Sequence, residues 1–245
     1  MDEHLTKDEK KQLRHEEWQK KQSHEERKKK MTKLGWWIGG IVVVGLAVWF
    51  LFALVNTPSS SPSAVITAPG PKLTDMTFGN PKAKVILTEY ADFQCPGCGA
   101  YYPIVKQLTE QYKDKLLFVY RFFPLTQIHQ NALVASEAGY AATWQGKFWP
   151  RHDLLLAHQN DWAELSDPTP NFISYATQAG LNVDQFKKDY TNDKVSSYIK
   201  SQEQAALDLG LPGTPSFFLN NKQITNPPTY SDFKALIDKA LAQAK

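Results

Sequence analysis

At 245 residues the chain has room for one or two domains, and its first quarter differs so much in composition from the rest that one globular domain is expected. The formal charge of +3 divides unevenly: residues 1–33 hold 11 Lys and Arg against 8 Asp and Glu, leaving 17 of each sign beyond. The globular part is therefore neutral, has no basic face to neutralise phosphates, and is not expected to bind nucleic acid.

Residues 1–33 are almost wholly polar, with Leu5, Leu13 and Trp18 as the large apolar side chains ahead of Met31, so they cannot build a core and read as a solvated cytoplasmic tail. Pairs such as Glu16 with Lys20 and Glu26 with Lys30 support transient helicity there. Residues 34–55 carry no charge and match the roughly 20 residues needed to cross bilayer hydrocarbon, so one transmembrane helix is expected, with Trp36, Trp37 and Trp49 towards its ends. Arg27, Lys28, Lys29, Lys30 and Lys33 crowd its N-terminal flank, and the next basic residue beyond it is Lys72. That asymmetry puts the N-terminus in the cytoplasm and the remainder outside a bacterial cell membrane. The run exceeds the roughly 7 to 15 apolar residues of a cleaved signal peptide, so it reads as a single-pass anchor. Residues 56–72, with Pro58, Pro62, Pro69, Pro71 and a Ser-rich middle, read as a semi-extended tether to a domain over 73–245.

In that domain Val85-Ile86-Leu87, within residues 84–90, suits a buried strand. Tyr102, Ile104, Val105, Leu108 and Tyr112 recur at helical spacing, and residues 116–123 read as a second strand. Residues 128–208 look like a helical insert, with an Ala-rich segment over 131–143, a break at Asp167-Pro168-Thr169-Pro170 and a helical segment over 183–209. Residues 215–219 and 223–225 read as a hairpin around Asn220-Asn221-Lys222, followed by an amphipathic helix through Phe233, Leu236, Ile237, Ala240 and Leu241.

Two cysteines occur, three positions apart, too close to staple a secreted scaffold; about 170 residues can bury a core without one. Cys95 and Cys98 follow a strand and open a helix, where unpaired backbone N–H groups and the helix dipole stabilise an anion, so Cys95 is expected to be an acidic thiol, in the range of about 3.5 to 7.5, and Cys98 a shielded one. Pro96 suits the first helical turn and Gly97 leaves the sulfurs open. A metal site would need four ligands; the pair gives two, and nothing in the spacing of His129, His152 and His158 completes them. No metal or cofactor is expected. Glu89 lies in an otherwise apolar strand six residues before Cys95, where its ordinary reading is an edge-exposed carboxylate or one in a salt bridge, as with Arg121 of the neighbouring strand. Asp92 reads as a turn residue, and His129, His152, Trp144, Phe148 and Trp149 as packing for the insert.

Several motifs together resemble the DsbA-like thiol-disulfide oxidoreductases, especially the membrane-anchored members of Gram-positive type, over about residues 73–245. They are Gly79-Asn80-Pro81-Lys82-Ala83-Lys84, Glu89-Tyr90-Ala91-Asp92-Phe93-Gln94-Cys95-Pro96-Gly97-Cys98, Phe122-Phe123-Pro124-Leu125, Gln145-Gly146-Lys147-Phe148-Trp149, His152-Asp153-Leu154-Leu155 and Gly213-Thr214-Pro215. The resemblance implies an α/β, thioredoxin-like fold with a helical insertion. It also implies a cis-proline at Pro215 facing the sulfurs, Thr214 presenting backbone to substrate, and Glu89 as the buried acid beneath the dithiol. Without it, Thr214-Pro215 would be read as trans, since only about 5 to 6% of X-Pro bonds are cis. Strong oxidants of the family carry His where this chain has Gly97, which points to a less oxidising potential.

The function implied is donation of the Cys95–Cys98 disulfide to exported proteins with reduced cysteines, with reoxidation by a quinone-linked membrane oxidase. A reductase or isomerase outside the cell is the alternative, and a tethered, non-enzymatic binding module a second one.

Overall fold

The computed structural model describes residues 66–244; the charged tail, the expected transmembrane helix and the first part of the tether lie outside the described residues. Among the described residues, no helix is long and apolar enough to cross a membrane.

A five-stranded sheet of order β1-β3-β2-β4-β5 organises the domain. Strands β2 (Val85–Ala91) and β3 (Leu116–Phe122) run parallel and are joined by helix α1 (Pro96–Tyr112), the strand-helix-strand unit expected from the sequence. Both strands are buried along almost their whole length, which is why they read as apolar runs rather than alternating ones. Strand β1 (Met76–Gly79) pairs antiparallel with β3 at one edge; its four residues, alternating between half-buried and exposed, give too little periodic signal to mark a strand in the sequence. It ends at Gly79, where φ is 92° and a Cβ would fall 2.4 Å from the Leu116 carbonyl oxygen, so only glycine fits.

The helical insert comprises α2 (Ala132–Ala141), a 3-10 turn (Ala142–Gln145), α3 (Phe148–Ala157), α4 (Gln159–Trp162), α5 (Thr169–Gln178), α6 (Val183–Tyr190) and α7 (Asp193–Asp208). The segment over 183–209 is two helices rather than one, because the Asn192 side chain accepts from the Lys194 N–H and starts a new helix. Strand β4 (Ser216–Leu219) pairs antiparallel with β2, then turns onto β5 (Lys222–Gln223). The turn is Asn220-Asn221, with φ of 49° and 67°, the left-handed pair that a two-residue hairpin needs; Lys222 is thus in the strand rather than the loop. Helix α8 (Tyr230–Gln243) is N-capped by Thr229.

Alternation along β2 splits the core. Leu87 and Ala91 join the larger cluster with Val105 and Leu108 of α1, and Glu89 shares their side of the strand. Tyr90 joins Phe123, Ala206 and Phe218 on the other side. Arg121, paired in register with Tyr90, is buried there and uses all five of its N–H groups. Nε and Nη2 bind Asp75 at 3.2 and 2.8 Å, Nη1 binds Tyr90 Oη at 2.9 Å, and the carbonyls of Pro69 and Gly70 take the rest. This guanidinium pins residues 69–75 to the sheet, and Thr67 bridges to Lys222, so residues expected in the tether lie along the domain.

Candidate active site

Helix α1 opens at the cysteines. Cys95 is its N-cap residue, with extended φ and ψ of −65° and 121°, and Pro96 follows in the first turn, where its missing N–H costs nothing. No side chain caps this end, so the N–H groups of Gly97 and Cys98 remain available to the Cys95 sulfur. Cys98 lies one turn in and is 1% exposed, against 8% for Cys95. Both are free thiols.

The sequence-singled residues of the late loop come to the same place. The Thr214-Pro215 bond is cis, as the resemblance implied, and the Cys95 thiol donates to the Thr214 carbonyl at 3.3 Å. Gly97 faces Pro215 closely: a Cβ at position 97 would lie 3.1 Å from Pro215 Cδ and 3.5 Å from Cys95 Sγ, so any side chain there must displace its neighbours by a few tenths of an ångström.

The two thiols are driven apart in acidity. The Cys98 thiol, hydrogen-bonded to the Cys95 sulfur, is the largest influence holding Cys95 down to about 5; burial opposes it, and the Thr214 side chain and the N–H groups of Cys98 and Gly97 add to it. Burial pushes Cys98 well above the ordinary thiol range, helped by that same hydrogen bond and by the charges of Glu89 and Cys95, while the Asp92 N–H, 3.4 Å from Cys98 Sγ, pulls the other way. Burial first, and the Cys95 charge second, raise the Glu89 carboxyl to about 8. Among the described residues Glu89 has no ion-pair or hydrogen-bond partner; Arg121 is on the opposite side of the sheet, held by Asp75. The paired alternative for Glu89 is therefore not the arrangement found.

The loop between β2 and α1 is held from outside by residues to which the sequence assigned no part in the site. Asp92 is fully buried, and its carboxylate accepts from the N–H groups of Gln94 and Leu125 and pairs with His129 Nδ1 at 2.6 Å, so it is more than a turn residue and His129 packs against the loop rather than the insert alone. Gln159 at the start of α4 donates to the carbonyls of Phe93 and Cys95, and Gln94 bridges Ala163 and Asn131. Opposite Gln159 stands Gly99, where a Cβ would fall 2.5 Å from Gln159 Oε1. Nothing local in the sequence marks Gln159, since its partners lie 64 and 66 residues away. Among the described residues, no group of His, Cys, Asp and Glu has the spacing of a metal site.

The family model described as Thioredoxin matches residues 72–239. A Salinispora tropica protein named as the sodium/proton antiporter NhaA 3 is 35% identical over 171 residues, 70% of this chain but 25% of that protein, so this chain spans about a quarter of the length of the relative it matches. A Rickettsia conorii protein named as a protein-disulfide oxidoreductase is 28% identical over 201 residues, 78% of this chain and 71% of that one. Among solved structures, alpha-DsbA1 of Wolbachia pipientis superposes with a TM-score of 0.63 at 24% identity, covering 71% of this chain and 94% of that chain, a likeness of fold. With a thioredoxin model matched over more than half its length, and the paired cysteines, cis-proline and helical insert in place, the chain belongs to the thioredoxin-like DsbA family.

Proposed function

We propose that the chain is a membrane-anchored thiol-disulfide oxidoreductase that donates its Cys95–Cys98 disulfide to exported proteins outside the bacterial cytoplasmic membrane. The observation that carries this reading is the place of Cys95 at the open N-terminus of α1, with its sulfur against Cys98 and the Thr214 carbonyl, a setting that holds its thiol down to about 5 while burial pushes Cys98 far up. At pH 7 reduced Cys95 is then mostly thiolate, and a stabilised reduced form makes the disulfide oxidising. A substrate thiolate attacks Cys95 Sγ, the Cys95–Cys98 bond breaks, and Cys98 leaves as a thiolate that takes the proton of Glu89, neutral at this pH. A second substrate thiolate attacks the substrate sulfur of the mixed disulfide and Cys95 departs, leaving the dithiol to be reoxidised. The closeness of the Thr214 carbonyl to the Cys95 sulfur supports Thr214 and Pro215 as the surface that takes an extended substrate segment.

The uncharged run over residues 34–55 supports the anchor, and the basic flank before it supports a cytoplasmic N-terminus. A quinone-linked membrane oxidase, held in the same plane by that anchor, is the proposed reoxidising partner. Gly97 favours the second reading, a reductase or isomerase, because it adds no charge to the thiolate. Equilibration with glutathione separates the two: the donor reading expects a potential above about −200 mV, and a value near −270 mV would reverse the direction. Cys98→Ser is expected to accumulate mixed disulfides with several exported proteins through Cys95, whereas a binding module would trap none.

A further inference from the structure

Between α1, α3 and the sheet lies a part-open cavity of about 50 Å³ whose walls include Glu89, Phe118, Trp149, His152, Asp153 and Lys106. One water needs at least about 10 to 15 Å³ of such space, so a short row of waters fits. The polar groups around it are arranged from inside to outside. Innermost is Glu89, buried and without a protein hydrogen-bond partner among the described residues. Next comes His152, whose side chain is 7% exposed and whose Nε2 is buried with no partner, while its Nδ1 lies 3.1 Å from Asp153 Oδ1. Outermost, Asp153 Oδ2 meets Lys106 Nζ at 2.7 Å, with 33% and 48% of those side chains in solvent.

A histidine bonded to a carboxylate through Nδ1 carries its hydrogen there and leaves Nε2 as an acceptor. An acceptor left unpaired in an aromatic wall, with Trp149 and Tyr120 ring centres 5.2 and 5.0 Å away, costs free energy unless water reaches it. Phenylalanine or leucine would fill the same space without that cost.

We propose that this cavity is a water-lined proton path in which His152 relays protons between Glu89 and the exposed Asp153–Lys106 pair. The proposal rests on the reading of Glu89 as the acid that exchanges a proton with Cys98. When a substrate thiolate displaces Cys98, the new sulfur bond forms at Cys95, the Cys95–Cys98 bond breaks, and the Cys98 thiolate takes the Glu89 proton. When the dithiol is reoxidised, Glu89 passes its proton through cavity water to the bare Nε2 of His152, the ring gives its Nδ1 proton to solvent at Asp153, and the Glu89 carboxylate takes the proton of Cys98; in donation the steps run in reverse, Nε2 returning its proton through the water to Glu89 while Nδ1 takes one from solvent at Asp153. No electrons pass along it. The other titratable groups around the path are the Tyr120 hydroxyl, buried without a partner on β3, with Tyr102 and Glu110 on α1. Burial also pushes the His152 imidazole down, which keeps it neutral at pH 7 and able to accept.

The test is single-turnover disulfide transfer from the oxidised full-length chain to a dithiol peptide, quenched by acid and read by thiol alkylation. His152→Gln is expected to slow transfer at pH 7 by about tenfold or more, less than the roughly 10²- to 10⁴-fold of a group that meets the reacting atoms, because His152 acts through water and Glu89. It should leave the equilibrium with glutathione and the Cys95 thiolate titration unchanged, because a proton path alters rates and not end states. In a Glu89→Gln background the same substitution should add nothing. Asp153→Asn, outside the core, is expected to slow transfer in the same direction and carries the test should His152→Gln not fold. Slowing by Glu89→Gln together with unchanged rates for His152→Gln and Asp153→Asn overturns the relay alone. No slowing by Glu89→Gln overturns the Glu89 reading beneath it. A His152→Gln effect that adds in full to that of Glu89→Gln, or that shifts the glutathione equilibrium, makes His152 a packing residue.

Discussion

Replacing Glu89 by Gln is expected to stabilise the reduced chain at neutral pH and to leave it nearly unchanged in acid. The carboxyl is buried on β2 and rises from 4.5 to about 8, by burial first and the Cys95 charge second. Between those values the folded chain keeps a proton that the unfolded chain releases, so stability falls as pH rises through that window, by about 1.4 kcal/mol per pH unit. At pH 7, about 2.5 above the unfolded value, the penalty is about 3 kcal/mol; below pH 4.5 it vanishes. Glutamine keeps the shape without the ionisation. For a domain of this size the difference corresponds to a rise in Tm of about 6 to 12 °C. Urea unfolding of both reduced proteins at pH 4.5 and pH 7 measures it. A variant no more stable than the parent at pH 7, or equally more stable at both pH values, would refute the reasoning.

Cys98→Ala removes the hydrogen bond that contributes most to the acidity of Cys95, so the Cys95 midpoint should rise from about 5 towards 9.0, followed by ultraviolet thiolate absorbance. Asp75→Ala strands the buried Arg121 guanidinium and should cost about 3 to 5 kcal/mol in urea unfolding while leaving the Cys95 titration in place, since the two lie on opposite sides of the sheet. Gly139→Ala would put a Cβ 2.7 Å from Phe93 Cε2, in a ring stacked on Tyr120, and should destabilise by about 1 to 3 kcal/mol.

The parts of the fold legible in the sequence were those with strong local signals. Val85-Ile86-Leu87 and residues 116–123 marked the parallel pair because central strands are apolar throughout, and Cys95-Pro96-Gly97-Cys98 marked a helix start because proline and the unpaired N–H groups belong there. What stayed hidden depends on distance. Strand β1 is short and half-exposed. Arg121 is an ordinary strand arginine until residues 69–75 fold over it, and the cis bond at Thr214-Pro215 was legible only through family resemblance, since a Thr-Pro step alone favours trans. Around the cysteines, Gln159 and Asp92 act by hydrogen bonds to backbone far along the chain, for which single-sequence patterns carry no mark.

Everything proposed for the dithiol depends on a sulfur that prefers to be an anion at position 95. The rate of alkylation of the reduced full-length chain, followed at Cys95 by mass across the pH range, reads that preference directly. A midpoint near 5, with Cys98 unreactive until far higher pH, is the result expected from the thiol-thiol hydrogen bond and the open helix end. A midpoint near 9.0, the value of an unperturbed thiol, would contradict it.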